Sequence, residues 1–391
     1  MEKFFRLILM LLLIEGLSAC GIFSSEGEDI RVPLTLKSLT EETVQLEEVW
    51  SRNIGKGVGM SHEHLVPFVR EEIVYAAGAE GSVLALDRQN GSVIWKRKLK
   101  DVRVGSGVSA DNKMVLLGTL DGEVIALNEI DGSDLWKAKV SSEVLSIPVA
   151  NEEMVIVKSI DDNLTALDSH TGKFLWSQSA LQPALILRGS SDPIIDKEAV
   201  LVGYANGDVK AFRLNDGEQL WASKLSTPKG STELERMVDV DSTPMIIGGF
   251  LFAVSYQGNV VAIDLYSGRG HWSKEISSYK AMSEGFGSIY LSDQDSFISS
   301  LDQKNGASNW RQEALQYRKV TAPATFGSYV VVGDYQGYIH LISQVDGGLS
   351  GRFNTGGAAI KAQPLVVGDM IYVLSSSGKL IALKKHVIMT K

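Results

Sequence analysis

Gly81-Ser82-Val83-Leu84-Ala85-Leu86-Asp87, with Gly91 and Trp95 behind it, is a short apolar run set between turn-forming glycines. It reads as a strand bounded by tight turns. The same frame returns along the chain. Tryptophans stand at 50, 95, 136, 176, 221, 272 and 310, at spacings of 45, 41, 40, 45, 51 and 38 residues, the period expected of propeller blades. Four residues before six of them is a glycine: Gly91, Gly132, Gly172, Gly217, Gly268 and Gly306. Ten before stands Ala85, Ala126, Ala166, Ala211, Ala262 or Ser300, and fourteen before stands Gly81, Gly122, Asp162, Gly207, Gly258 or Ser296. In four units a proline, Pro67, Pro148, Pro193 or Pro244, lies twenty-eight before.

The lattice runs past the last tryptophan. Pro323 and Gly337 predict a tryptophan at 351, where Gly351 stands, so that unit reads as degenerate, and Pro364, Gly378 and Ala382 begin a further unit. Trp50 has no proline or Ala-Leu pair upstream, so the first and last half-units complete each other. Each unit holds four short strands; in the second these turn at Asp121-Gly122 and Asp131-Gly132. The expectation is an all-β chain: an eight-bladed β-propeller over residues 44–391, built of four-stranded antiparallel blades. The ring is closed by the N-terminal strand around Val44 to Trp50 joining the C-terminal blade. One tryptophan per blade, burying about 150–250 Å², cements adjacent sheets that cannot bury both faces alone. Where the proline is present it opens the innermost strand, one side of which lacks a ladder partner.

Composition bounds the function. The formal charge of −9 argues against nucleic acid, whose binders carry a basic excess. A single cysteine, Cys20, excludes an internal disulfide, a Cys-rich zinc site and an iron–sulfur cluster on the chain's own thiolates. Lys3 and Arg6 precede the apolar run Leu7 to Ile14, too short to span a bilayer and of signal-peptide length. Leu17-Ser18-Ala19-Cys20 resembles a bacterial lipobox. Residues 1–19 are therefore read as a cleaved signal peptide, Cys20 as lipidated, and residues 20–43, with acidic Glu26, Glu28 and Asp29, as a flexible tether. Gly21, which is not Asp, points to the outer membrane, with the protein lipid-anchored on its periplasmic face.

The proline-to-tryptophan distance is constant, so length varies only in the connectors that follow each tryptophan. These measure 17, 13, 12, 17, 23, 10, 13 and 13 residues, and all join an outer strand to the next inner strand on one face. Two long ones flank the fourth blade. Long loops on one face of a rigid repeat are where binding usually sits. The first carries Leu185, Ile186, Leu187 and Arg188, apolar anchors beside an arginine; the second carries Asp239 and Asp241. Two readings stand: these side chains meet a partner, or the leucines tuck under their loop while Arg188 pairs with Asp239 or Asp241.

The Gly-x-Val-x-Ala-Leu-Asp pattern with its glycine and tryptophan resembles the quinoprotein-like repeat, shared by quinoprotein dehydrogenases and the BamB family of outer-membrane assembly lipoproteins. Pro183 to Gly189 and Gly230 to Pro244, behind a lipobox, are similar to the long loops of the BamB family. That resemblance implies a non-enzymatic scaffold of the β-barrel assembly machinery that needs no cofactor. It also implies that Leu185, Leu187, Arg188, Asp239 and Asp241 engage the periplasmic domains of the insertase BamA. Unfolded outer-membrane proteins are a further partner class, because outer blade strands present open edges.

The alternative is a lipid-anchored quinoprotein (PQQ-type) dehydrogenase. Such enzymes set adjacent cysteines over the cofactor, beside a calcium ion and an aspartate, and one lipidated cysteine leaves none for that. His62-Glu63-His64 lacks a third spaced ligand and reads as surface loop. Asp161-Asp162-Asn163 lacks calcium-loop spacing; it replaces a turn glycine with residues that tolerate a left-handed backbone.

Overall fold

Glycine turns and alternating runs give thirty-two strands and no helix among the described residues, which in this computed structural model are 31–39, 42–59 and 65–386. Cys20, the signal peptide, most of the expected tether and His62-Glu63-His64 lie outside them. Eight sheets form, each of four antiparallel strands: blades 68–98, 104–139, 149–179, 194–224, 245–275, 283–312 and 324–354, and an eighth from 365–386 with 45–53. The chain is an eight-bladed β-propeller. Its ring closes as the repeat frame requires: Gln45–Asn53 pairs antiparallel with Lys379–His386, from Gln45 opposite His386 to Asn53 opposite Lys379. Phe68, Val149, Ile194, Met245, Ala324 and Leu365 open innermost strands, and a proline stands one residue before each of them.

The core lies between blades. Met114, Leu116, Val124, Ala126 and Trp136 of blade 2 bury themselves with Val155, Val157 and Leu167 of blade 3. Each tryptophan also reaches across by hydrogen bond: Trp136 Nε1 donates to Ser169 O at 2.8 Å, and Trp176 Nε1 to Leu214 O at 2.9 Å. The glycine four before the next tryptophan therefore has a second duty besides its turn. It lies flat on the preceding blade's indole: a Cβ on Gly172 would fall 2.6 Å from Trp136 Cε3. Before each tryptophan the outer strand slips register; between blade 1's paired strands the break falls after Ala85. Such bulges twist an open edge away from partners.

Gly351 is not a decayed tryptophan. Thr43 and Val44, leading into the closing strand, donate N–H to Ser350 O at 2.9 and 3.3 Å, and Val44 fills the space an indole would take. The sequence divides into units Met1–Pro33 and Leu34–Lys391. Of the first only 31–33 are described, without regular structure. The second begins ahead of the boundary at 44, and its first residues are not free tether. Leu34 N donates to Gln316 O at 3.1 Å, Arg318 Nη1 to Leu34 O at 2.9 Å and Arg352 Nη1 to Lys37 O at 3.1 Å, while Leu36 packs on the core of blades 6 and 7. The backbone of Leu34 and Lys37 and the side chain of Leu36 supply this docking, which the acidic composition around them conceals.

Candidate partner-binding site

Connectors 180–193 and 225–244 follow blades 3 and 4 on the same face of the ring and meet there. In the second, Gly230 takes φ +109° and opens a single turn closed like a capping box. Glu235 Oε2 accepts the N–H groups of Ser231 and Thr232 at 2.7 and 3.1 Å, and Glu235 N donates to Thr232 Oγ1 at 3.2 Å. This turn holds Leu234 out, 61% exposed. The chain then dives back, burying Met237, Val238, Asp239 and Val240, with Val240 N bonded to Tyr204 O and Tyr256 N to Asp239 O.

The first connector has no strand of its own and is held from beneath. Asp239 Oδ2 accepts the Leu187 N–H. Asp192 accepts Ile147 N at 2.6 Å and Thr243 Oγ1 at 2.8 Å, tying three connectors together. A Cβ on Gly189 would lie 2.4 Å from Asp241 Oδ2, so only glycine lets the loop settle on that carboxylate. Leu181 is 91% exposed and Leu185 41%; Arg188 is exposed, and Ile186 and Leu187 are half-buried. The leucines thus divide between surface and underside.

Of the two readings, the pairing of Arg188 with Asp239 or Asp241 does not form among the described residues. Arg188 Nη2 meets Glu143 Oε2 of the preceding connector at 2.8 Å, with both side chains partly in solvent, where such a pair contributes little. Depth is the reason: Asp239 is fully buried and committed to the Leu187 amide, while Arg188 points outward. Asp239 therefore acts on this surface from below, and Asp241 sits half-buried under Gly189. Burial pushes the Asp239 carboxyl up to about 6, against the Leu187 N–H that lowers it. Burial and the neighbouring Asp239 push Asp241 up to about 7.

Leu181 and Leu234 are surface residues that sequence reasoning passed over. Spacing gave no sign of them, since a loop's exposed apolar residue has no period. A deeper group was also missed. Lys158 and Asp162 are buried together at 2.8 Å, and a repeat-column signal marked the lysine. Eighteen residues before a tryptophan position the other blades carry Ala77, Gly118, Gly203, Val254, Ser292, Gly333 and Leu374. Only blade 3 places a charge there.

The family model described as "Outer membrane protein assembly factor BamB" matches residues 79–312 and 294–386. A protein of that name from Pseudomonas aeruginosa is 41% identical over 371 residues, covering 95% of this chain and 97% of its own. The chain belongs to the BamB family. The namesake from Escherichia coli is 32% identical over 377 residues, covering 94% of this chain and 96% of its own. The crystal structure of BamB from Moraxella catarrhalis superposes with a TM-score of 0.80 at 26% identity, over 87% of this chain and all of that one. Quinohemoprotein alcohol dehydrogenase from Comamonas testosteroni reaches a TM-score of 0.69 at 15% identity, over 88% of this chain and 78% of that one. That second likeness shows the propeller alone. BamB-family chains are outer-membrane protein assembly factors and not enzymes.

Proposed function

We propose that this chain is a lipid-anchored scaffold of the β-barrel assembly machinery that holds the periplasmic domains of BamA on the face formed by connectors 180–193 and 225–244. The observation that carries this reading is the meeting of the two longest well-described connectors, which set Leu181, Leu185, Arg188 and Leu234 outward over a rigid ring. Apolar anchors beside an arginine are the composition of interface hot spots. Titration of BamA's periplasmic region against the Leu185→Ala and Arg188→Ala variants tests it. Both side chains are surface-exposed, so the fold survives their loss. Each change is expected to weaken binding by about 2 kcal/mol, near thirtyfold; unchanged affinity in both removes this face from the contact. The same titration with an unfolded outer-membrane protein reads the second partner class.

The anchor belongs to the same proposal. Lipid on Cys20 holds the protein at the periplasmic leaflet of the outer membrane by burying methylenes, without a spanning segment. Cys20→Ser is expected to move the protein from the membrane fraction to the soluble periplasmic fraction. A variant still sedimenting with membranes after BamA is removed excludes lipid as the anchor.

A further inference from the structure

Blade 7 and the connector before it depart from the repeat in several places, and the departures face one object, the chain's own segment 34–39. Arg318 stands five residues before Pro323, as Arg188 stands five before Pro193. Arg188 is displayed to solvent; Arg318 is 2% exposed. Its Nε and Nη2 donate to Asp334 Oδ2 at 2.8 and 2.7 Å, and its Nη1 donates to Leu34 O at 2.9 Å. Asp334 Oδ2 also meets His340 Nε2 at 3.0 Å, while its Oδ1 accepts the N–H groups of Gln336 and Tyr338 at 2.9 and 3.0 Å. On the far side of the imidazole, Arg352 Nε donates to His340 Nδ1 at 3.3 Å and Arg352 Nη1 to Lys37 O at 3.1 Å. None of the other seven blades has a histidine eleven residues before its tryptophan position.

The chemistry fixes the roles. Arginine only donates, so His340 Nδ1 accepts and the ring carries its proton on Nε2, facing Asp334. Burial supports this neutral form by holding His340 below the usual histidine range. Both guanidiniums are thus held from behind, and each has Nη1 left for a backbone carbonyl. Leu34 N adds its bond to Gln316 O, Leu36 packs on the core of blades 6 and 7, and Leu39 borders a cleft with Tyr338 and Arg352. A segment merely lying on the surface would explain Leu36 as an apolar residue finding a dry place. An internal ion pair with Asp334 would explain the burial of Arg318. Neither explains why two arginines on different elements spend their remaining donors on the main chain of one segment. Such charge-assisted bonds are roughly twice as strong as neutral ones. Gly351, which admits Val44, belongs to the same set.

We propose that residues 34–39 are a strap by which the propeller grips the base of its own tether, with Arg318 and Arg352 as its clasps. The chain upstream then leaves the ring at the connector between blades 6 and 7, on the face that carries 180–193 and 225–244. What the strap does to the anchor rests on the lipidation proposed above; the docking does not. Between Cys20 and the strap lie the fourteen residues 20–33, whose reach is at most about 50 Å. With the strap undone, the twenty-four residues 20–43 reach at most about 85 Å. The strap also stands between the tether and the closing strand Gln45–Asn53. A pull on the tether meets both arginines before it meets Gln45 opposite His386, the end from which the closing ladder would open one pair at a time.

Trypsin on the full chain, bound to vesicles of phosphatidylethanolamine and phosphatidylglycerol, tests this, because the chain offers Arg31 ahead of the strap and Lys37 within it. Both side chains are exposed, so what separates the two points is the hold on the backbone. The wild-type propeller is expected to begin at Val32, cut after Arg31 and resistant after Lys37, as read by mass. Cleavage follows the population of the opened segment. Arg352→Gln is expected to raise the cut after Lys37 about tenfold, the effect of losing one hydrogen bond to a charged group. Leu36→Asp, which sets a charge against the core of blades 6 and 7, raises it at least as much; Leu36 lies outside every strand, so this variant keeps the blades. A wild type cut after Lys37 as fast as after Arg31, or a Lys37 as resistant in both variants as in the wild type, overturns the proposal. The cut after Arg31 is also expected to free the propeller from the vesicles. A chain that fails to bind them, or a propeller that stays on them after that cut, sinks instead the anchor at Cys20, and the strap stands on Lys37 alone.

Discussion

Gly351→Trp, which restores the tryptophan that the repeat frame asks for, is expected to destabilise the protein and release its closing strand. Position 351 lies in the outer strand Leu349–Asn354 of blade 7. A Cβ there falls 2.3 Å from Val44 O and 2.9 Å from Val44 Cγ1. The nearer atom is main chain, so no side-chain rotation relieves the clash. Val44 has to move, and with it the bonds of Thr43 and Val44 to Ser350 O that lead the chain into its pairing with Lys379–His386. Overpacking by a few methylenes costs about 1–3 kcal/mol; an indole against immovable backbone is expected to exceed the top of that range. Gly351→Ala, with the same Cβ and nothing beyond, falls between. Melting temperature and proteolysis within 42–53 report the two effects. An unchanged melt with an uncut closing strand would show that Val44 does not fill the tryptophan slot.

That vacancy illustrates what a sequence reveals and what it hides here. Tryptophan, glycine and proline were legible because each answers a local demand repeated eight times: an indole between sheets, a turn, an inner strand with one free side. Ring closure was legible for the same reason, since two half-units of one frame must join. Gly351 read as degeneracy because its cause is tertiary. The residue that excludes an indole from 351 lies over three hundred positions earlier.

The candidate site was half legible. Connector length located it, and Leu185 and Arg188 stand at its surface. Charge complementarity misled for Arg188 because it takes no account of depth. Met237-Val238-Asp239-Val240 carried the missing information, an aspartate inside an apolar run that is buried throughout. Asp162 hid behind its own backbone: a residue that satisfies a turn gives no reason to ask what its carboxylate does. Its partner was visible only by aligning the blades column by column, where Lys158 replaces small or apolar residues. The segment 34–39 followed the same logic: Leu34 and Lys37 give backbone carbonyls to Arg318 and Arg352 while Leu36 packs on the core, a docking no local pattern announces.

The repeated glycine and tryptophan make a stronger claim than their recurrence, namely that they are energetically one unit across each blade junction. Trp136 is 8% exposed, donates to Ser169 O, and packs with Val155, Val157 and Leu167. Trp136→Ala is expected to cost about 3–5 kcal/mol, read as a fall in the urea midpoint. Gly172→Ala is expected to carry two penalties. One is the left-handed backbone at φ +67°, worth roughly 1–2 kcal/mol for a residue with a Cβ. The other is the 2.6 Å approach to the indole. Once Trp136 is alanine the second penalty disappears and the first remains. Gly172→Ala therefore costs less in the Trp136→Ala background than in the wild type. The coupling is expected in the range of about 0.5–3 kcal/mol measured for residues in contact. Four urea titrations close the cycle. Strict additivity would mean that the glycine serves its turn alone, and that the fixed interval between the two residues reflects hairpin length and not the fit of one blade against the next.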